Sequence, residues 1–242
     1  MEKQLNLPRV YNNESHPERK GRVYMSYSQY SSFNETGEFH YQMILQYIFG
    51  IKMESRFQAY ADYGTHCGEY IETQGAKRGE MLSDADCKIM DGIMKNFSDK
   101  SEYEREIWIK RNGYHILGFI DRYEPLKENY CSIGDFKTGN EKKVEKYSGE
   151  DYGQTTLYSF AEEEKGALIK DSYVTLLVRT GNPNATYTEP TPFSLTGKVI
   201  NIPTPYSKER ANKVLKKMDE TALKIASLKT TYDSLSQLTI KM

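Results

Sequence analysis

With 242 residues the chain is long enough to bury a core of its own, and a formal net charge of -1 gives it no overall basic field of the kind that coats nucleic acid indiscriminately. No stretch approaches the ~18 consecutive apolar residues of a membrane span, and the opening MEKQLNLPRVYNNESHPERKGR lacks a signal-peptide apolar region, so a cytoplasmic protein with no membrane partner is expected. The three cysteines, Cys67, Cys87 and Cys131, are far apart with no Cys-x-x-Cys pair; they support neither a disulfide framework nor a zinc knuckle and read as buried reduced thiols.

Residues 1–22 are polar, contain Pro8 and Pro17 and show no sustained period, which predicts a flexible N-terminal arm ahead of a single domain over 23–242. Ser26 caps a first helix. Phe39, Met43, Ile44, Tyr47 and Ile48 carry the three-to-four spacing of a second, and further helical patterns run from about Phe57 to Gln74 and from a Ser83 cap to about Phe97. From Tyr103 the period shortens to two. Asn112-Gly113 marks a hairpin turn between strands around Ile107–Ile109 and Ile116–Tyr123, and a third strand covers about Tyr130 to Lys137. A lysine-rich loop, a helix from Asp151 to Lys165, a strand at Tyr173 to Arg179, a loop through GNPNATYTEPTP and a strand at Lys198 to Ile202 follow. Ser207 caps a closing helix to about Leu228. Helices first and strands second, then alternation, predict an α/β fold with a central mixed sheet.

The chemistry gathers in Gly118-Phe119-Ile120-Asp121 and Ile133-Gly134-Asp135-Phe136-Lys137-Thr138-Gly139. Along a strand successive side chains alternate, so Asp135 and Lys137 share one face while Phe136 turns to the other, and Asp121 can arrive from the preceding strand. Two hard oxygen ligands and an adjacent ammonium are what metal-dependent phosphodiester hydrolysis requires. Lys142, Lys143 and Lys146 follow directly and read as phosphate contacts. Gln154 and Tyr158 lie four apart, on one face of a helix.

In order and spacing these motifs resemble the PD-(D/E)xK nuclease superfamily, specifically its RecB-like branch of phage and CRISPR-associated exonucleases. The resemblance runs from about Tyr24 to Arg179: Ser26 to Tyr30 is similar to the branch's early helix, Gly64-Thr65 to its first motif, Asp121 to its second, Asp135-Phe136-Lys137 to its third, and Gln154 to Tyr158 to its QxxxY motif. It implies a restriction-endonuclease-like core with a helical N-terminal part, and a Mg²⁺- or Mn²⁺-dependent exonuclease acting on single- or double-stranded DNA in processing, recombination or repair. Asp121, Asp135 and the carbonyl of Phe136 become metal ligands, Lys137 the catalytic lysine, and Gln154 and Tyr158 residues that order DNA. The expected partners are a helicase, recombinase or single-strand-binding protein, in a host cytoplasm if a phage encodes the chain.

The first motif departs from the pattern. Where the branch places a histidine four residues after the glycine, this chain has Gly68, which leaves Glu69, Glu72 and His66 as candidates for the remaining ligand. A glutamate suits Mg²⁺ better than His66. The vacancy also opens a second reading, an inactive nucleic-acid-binding or assembly module that keeps the nuclease fold. No cysteine follows Cys131, so the iron-sulfur cluster of CRISPR-associated relatives is not expected.

Overall fold

The serine caps at Ser26, Ser83 and Ser207 form where the sequence predicts them, the last accepting from the Arg210 N–H at 3.1 Å. In a computed structural model, which describes residues 4–35, 38–51, 58–181 and 193–240, Ser26 and Gln29 close a capping box at the head of α1 (Tyr27–Asn34), and Ser83 and Asp86 close another at the head of α4 (Asp84–Met94). Between them lie α2 (Glu38–Met43), a π-helical turn at Ile44–Ile48, and α3 (Gln58–Glu72). Two short strands, β1 (Arg9–Val10) and β2 (Val23–Met25), precede α1.

The strand region holds β3 (Glu102–Arg111), β4 (Tyr114–Pro125) and β5 (Tyr130–Gly139), then α5 (Lys143–Ser148), α6 (Gln154–Glu163), β6 (Leu168–Arg179), β7 (Leu195–Pro203) and α7 (Lys208–Ile240). The hairpin turns at Asn112-Gly113, where Gly113 takes a left-handed φ of 78° that a side chain would resist. Two expectations need correction. The lysine-rich segment is partly a helix, α5, nucleated around the buried Tyr147, and the closing helix runs past Leu228 to Ile240. The predicted loop at 181–192 lies outside the described residues from 182 onward, as does the start of the helix predicted from Phe57.

The chain divides into two compact units, residues 1–54, 107–118 and 212–242 in one and residues 55–106 and 119–211 in the other. In the first, β1 pairs antiparallel with β2, and β2 runs parallel to the opening of β4 through Tyr24↔His115. Leu7 and Tyr11 are buried there, with the Tyr11 ring edge-on to Trp108 at 5.0 Å. Arg111 and Tyr114 both donate to the Asp219 carboxylate, at 3.0 and 2.9 Å.

The second unit carries a mixed sheet. β4 is antiparallel to β5, β5 parallel to β6, and β6 antiparallel to β7. One face is covered by α3 and α4, whose Tyr63, Cys67, Ile71, Cys87 and Met90 bury Phe136 and Leu177. On the other, Leu157 and Ala161 of α6 are buried with Ile133, Val174 and Leu176. Cys67, Cys87 and Cys131 are buried free thiols, as the sequence predicts. Among the described residues no helix is long and apolar enough to cross a membrane.

Candidate active site

The β4–β5 ladder ends at Arg122↔Gly134, one residue short of the pair of aspartates. There the strands part. The N–H of Phe136, which would have continued the ladder, donates instead to the Asp121 carboxylate at 2.7 Å. A carboxylate is thus fixed by backbone where two strands separate.

Glu72, Glu104 and Asp121 each bring a carboxylate oxygen within 4.8 Å of the others. Glu72 comes from the last turn of α3. Its carboxylate takes up the room beside Gly68: a Cβ built on Gly68 would stand 3.3 Å from Glu72 Oε1. The missing side chain in the first motif is therefore what admits a carboxylate from one turn later. Glu104 arrives from β3 in a left-handed backbone conformation, φ 50°, unusual in a strand and costly for a residue with a Cβ.

The charges of this cluster oppose one another. Burial, followed by the neighbouring Asp135 charge, pushes the Asp121 carboxyl well above the usual range. Burial, then Glu104 and Glu69, pushes Glu72 up to about 7. Glu104 is raised as well, by the protein packed round its carboxylate, although the residue as a whole is exposed. Three crowded oxygens with no nitrogen or sulfur donor among them suit a hard divalent cation, so the residues present fit a Mg²⁺ or Mn²⁺ site.

The sign of these shifts yields a testable dependence. A carboxyl whose pKa is higher folded than unfolded stabilises the fold at low pH, and that contribution is lost as pH rises from the ordinary value of 4.5 through about 7. Protein kept in EDTA is expected to lose melting temperature across that window, and added Mg²⁺ to restore more of it at about pH 7.5 than at about pH 5. Differential scanning calorimetry over a pH series measures both; a metal-free melting temperature that climbs through the window would contradict the cluster.

Asp135 and Lys137 stand beside this group on one face of β5, as strand alternation predicts. Asp135 is fully buried, bridged by Lys137 Nζ at 2.8 Å from Oδ1 and 2.7 Å from Oδ2, and its Oδ2 also accepts from the Tyr152 hydroxyl at 2.9 Å. Burial alone would depress the Lys137 ammonium, but the Asp135 and Asp121 charges outweigh it and keep the lysine protonated. The Gln154 side-chain amide lies 2.7 Å from the Tyr158 hydroxyl, and the Tyr158 side chain is buried.

The other predicted residues are placed differently. Glu69 is part-buried near Glu72 without joining the three-carboxylate group. The His66 ring packs on Gly79, where an added Cβ would lie 2.2 Å from its Cγ, and its Nδ1 is buried without a hydrogen-bond partner among the described residues. Phe136 contributes its N–H to Asp121, while its ring belongs to the core beneath. Lys142, Lys143 and Lys146 are exposed at the head of α5 or along it, directly after β5.

The family model of the PD-(D/E)XK nuclease superfamily matches residues 52–236, most of the chain. The chain belongs to that superfamily. PD-(D/E)XK nucleases are divalent-metal dependent, and this member presents the carboxylate cluster such dependence needs. Its fold is similar to the crystal structure of a candidate exonuclease from Eubacterium rectale, with TM-score 0.53 at 12% sequence identity, over 92% of this chain and 87% of that one. A second solved structure, SSO0001, overlaps 55% of this chain and 54% of its own at TM-score 0.31 and 14% identity. No curated protein sequence matches the chain.

Two residues that the fold brings to this candidate site escape a reading by motif, Glu104 and Tyr152. Glu104 sits in Glu102-Tyr103-Glu104-Arg105-Glu106, a charge alternation that describes a solvated edge strand. Tyr152 precedes the Gln154 motif by two residues, where only its distance to Asp135 distinguishes it.

Proposed function

We propose that this nuclease hydrolyses DNA from its ends, using Mg²⁺ or Mn²⁺. The observation that carries the reading is the meeting of Glu72, Glu104 and Asp121 within 4.8 Å of one another, next to a protonated Lys137 on the neighbouring strand. Asp121, Glu72 and Glu104 would hold the cation, with Asp135 beside them as a further ligand. When bound, the cation would lower the pKa of a water and neutralise charge on the scissile phosphate. Lys137 supplies an ammonium that can leave one Asp135 oxygen to donate to a phosphate oxygen or to orient the attacking water. Its three possible donors allow it to keep one bond to Asp135 meanwhile.

Lys142, Lys143 and Lys146 are exposed at the head of α5 and along it and suit the phosphates next to the one being cut, a contact that weakens with salt. Exonuclease action and a DNA substrate rest on the resemblance of Asp121, Asp135-Phe136-Lys137 and Gln154 to Tyr158 to the RecB-like motifs. The alternative of an inactive module leaned on Gly68; the Glu72 carboxylate beside Gly68 counts against it.

The test is digestion of end-labelled linear single- and double-stranded DNA, with closed circles as control, in Mg²⁺, Mn²⁺ or EDTA. Linear DNA is expected to shorten in metal only, and Lys137→Met to slow the reaction by ~10²–10³-fold. No cleavage by the native protein in either metal would overturn the reading, and cleavage of circles would make it an endonuclease.

A further inference from the structure

The Tyr152 phenol has one proton to give, and both Asp135 Oδ2 at 2.9 Å and the oxygen end of the Gln154 amide at 3.2 Å lie within hydrogen-bond reach of it. Asp135 is a fully buried carboxylate and takes that proton as the stronger acceptor. Tyr152 then faces Gln154 with a lone pair, which an amide oxygen cannot satisfy. Nitrogen and oxygen of a glutamine amide are told apart only by their partners. Turned by 180°, the Gln154 amide gives its NH₂ to Tyr152 and offers its oxygen to the Tyr158 hydroxyl, whose distance on the far side is 2.7 Å. In that sense every donor meets an acceptor: Tyr158 to Gln154, Gln154 to Tyr152, Tyr152 to Asp135.

We infer that Tyr152 is a positioning residue, the last member of a three-residue hydrogen-bond relay that sets the plane of the Asp135 carboxylate. The surroundings hold it for that purpose. Its ring is buried edge-on against Tyr147 at 5.1 Å, and Arg210 donates to the carbonyls of Gly149 and Tyr152 itself, at 3.0 and 2.8 Å, which fixes the loop before α6. Gln154 and Tyr158 then act through Asp135 rather than by touching DNA, in keeping with the burial of Tyr158. The inference rests on the nuclease reading for its catalytic consequence, but the metal readout below does not require cleavage.

Tyr152→Phe keeps the ring and removes only the hydroxyl. Mn²⁺ affinity of the DNA-free protein, followed by electron paramagnetic resonance, is expected to fall ~10-fold or more, as when a partner that orients a metal-binding side chain is lost. On linear DNA kcat should fall by a similar factor while KM stays within about twofold. Gln154→Leu, which leaves Tyr152 whole but unsupported, should move both quantities in the same direction by less, and it carries the test if Tyr152→Phe does not fold by circular dichroism. Native Mn²⁺ affinity and native kcat in a folded variant would overturn the relay. A native protein that binds Mn²⁺ more tightly than Tyr152→Phe yet cuts no DNA would support the relay and overturn the nuclease reading alone.

Discussion

Asp121→Asn is expected to abolish metal-dependent cleavage, by at least ~10³-fold, and to raise the melting temperature of the metal-free protein. The two effects have one cause. Asp121 is held by the Phe136 N–H beside Asp135 and within 4.8 Å of Glu72 and Glu104, so its charge suffers burial and repulsion together. Asparagine keeps the size and a carbonyl for the Phe136 N–H while removing the charge. Solvent reaches the cluster and screens part of the repulsion, so a gain of a few degrees is expected, the equivalent of ~1 kcal/mol in a chain of this size. Cleavage assays and thermal melts in EDTA read the pair. A variant that still cuts, or one that melts several degrees lower without metal, would remove Asp121 from the site.

The second large effect concerns the fold. Asp86 is fully buried, and its carboxylate accepts from the Ser83 N–H at 2.9 Å, the Ser83 hydroxyl at 2.7 Å and the Leu195 N–H at 2.7 Å. Burial by itself would raise this carboxyl; the Leu195 and Ser83 donors reverse that and hold it below the usual range. Asp86→Ala removes the α4 capping box and leaves the Leu195 N–H at the start of β7 buried without a partner. A loss of ~3–5 kcal/mol is expected from urea denaturation. Since the native carboxyl is depressed, its contribution is present above pH ~4 and fades in acid, so the two proteins should converge in stability as pH falls below that value. A loss under ~1 kcal/mol at neutral pH would mean that water replaces these contacts.

Those caps illustrate what local sequence can carry. Ser26, Ser83 and Ser207 announce helices because a hydroxyl satisfies N–H groups within three residues, and Asn112-Gly113 announces a hairpin because its turn needs a left-handed residue. Asp135 and Lys137 could be placed on one face because strand alternation is rigid. β1 and β2 were missed for the opposite reason: two and three residues have no period, and β2 is completed by pairing with Tyr114–Pro125 far along the chain. For α3 the sequence leaves Glu69, Glu72 and His66 open, since the face of a helix narrows a choice, and it is the reach of a carboxylate past a glycine that brings Glu72 to Asp121 and Glu104. Glu104 was hidden twice, by a charge pattern that fits a solvated edge and by a backbone turn that alternation does not anticipate.

That turn at Glu104 limits how the site can vary. The left-handed φ is easiest for glycine, asparagine or aspartate, whereas oxygen donation with a full charge allows only aspartate or glutamate. The two demands overlap at aspartate alone, and the chain carries glutamate, the residue less suited to the backbone but with one more methylene of reach. With a cation held as proposed, side-chain length outranks backbone comfort at position 104, and every substitution there shortens the reach or surrenders the charge, so each should register in metal binding before it registers in the fold.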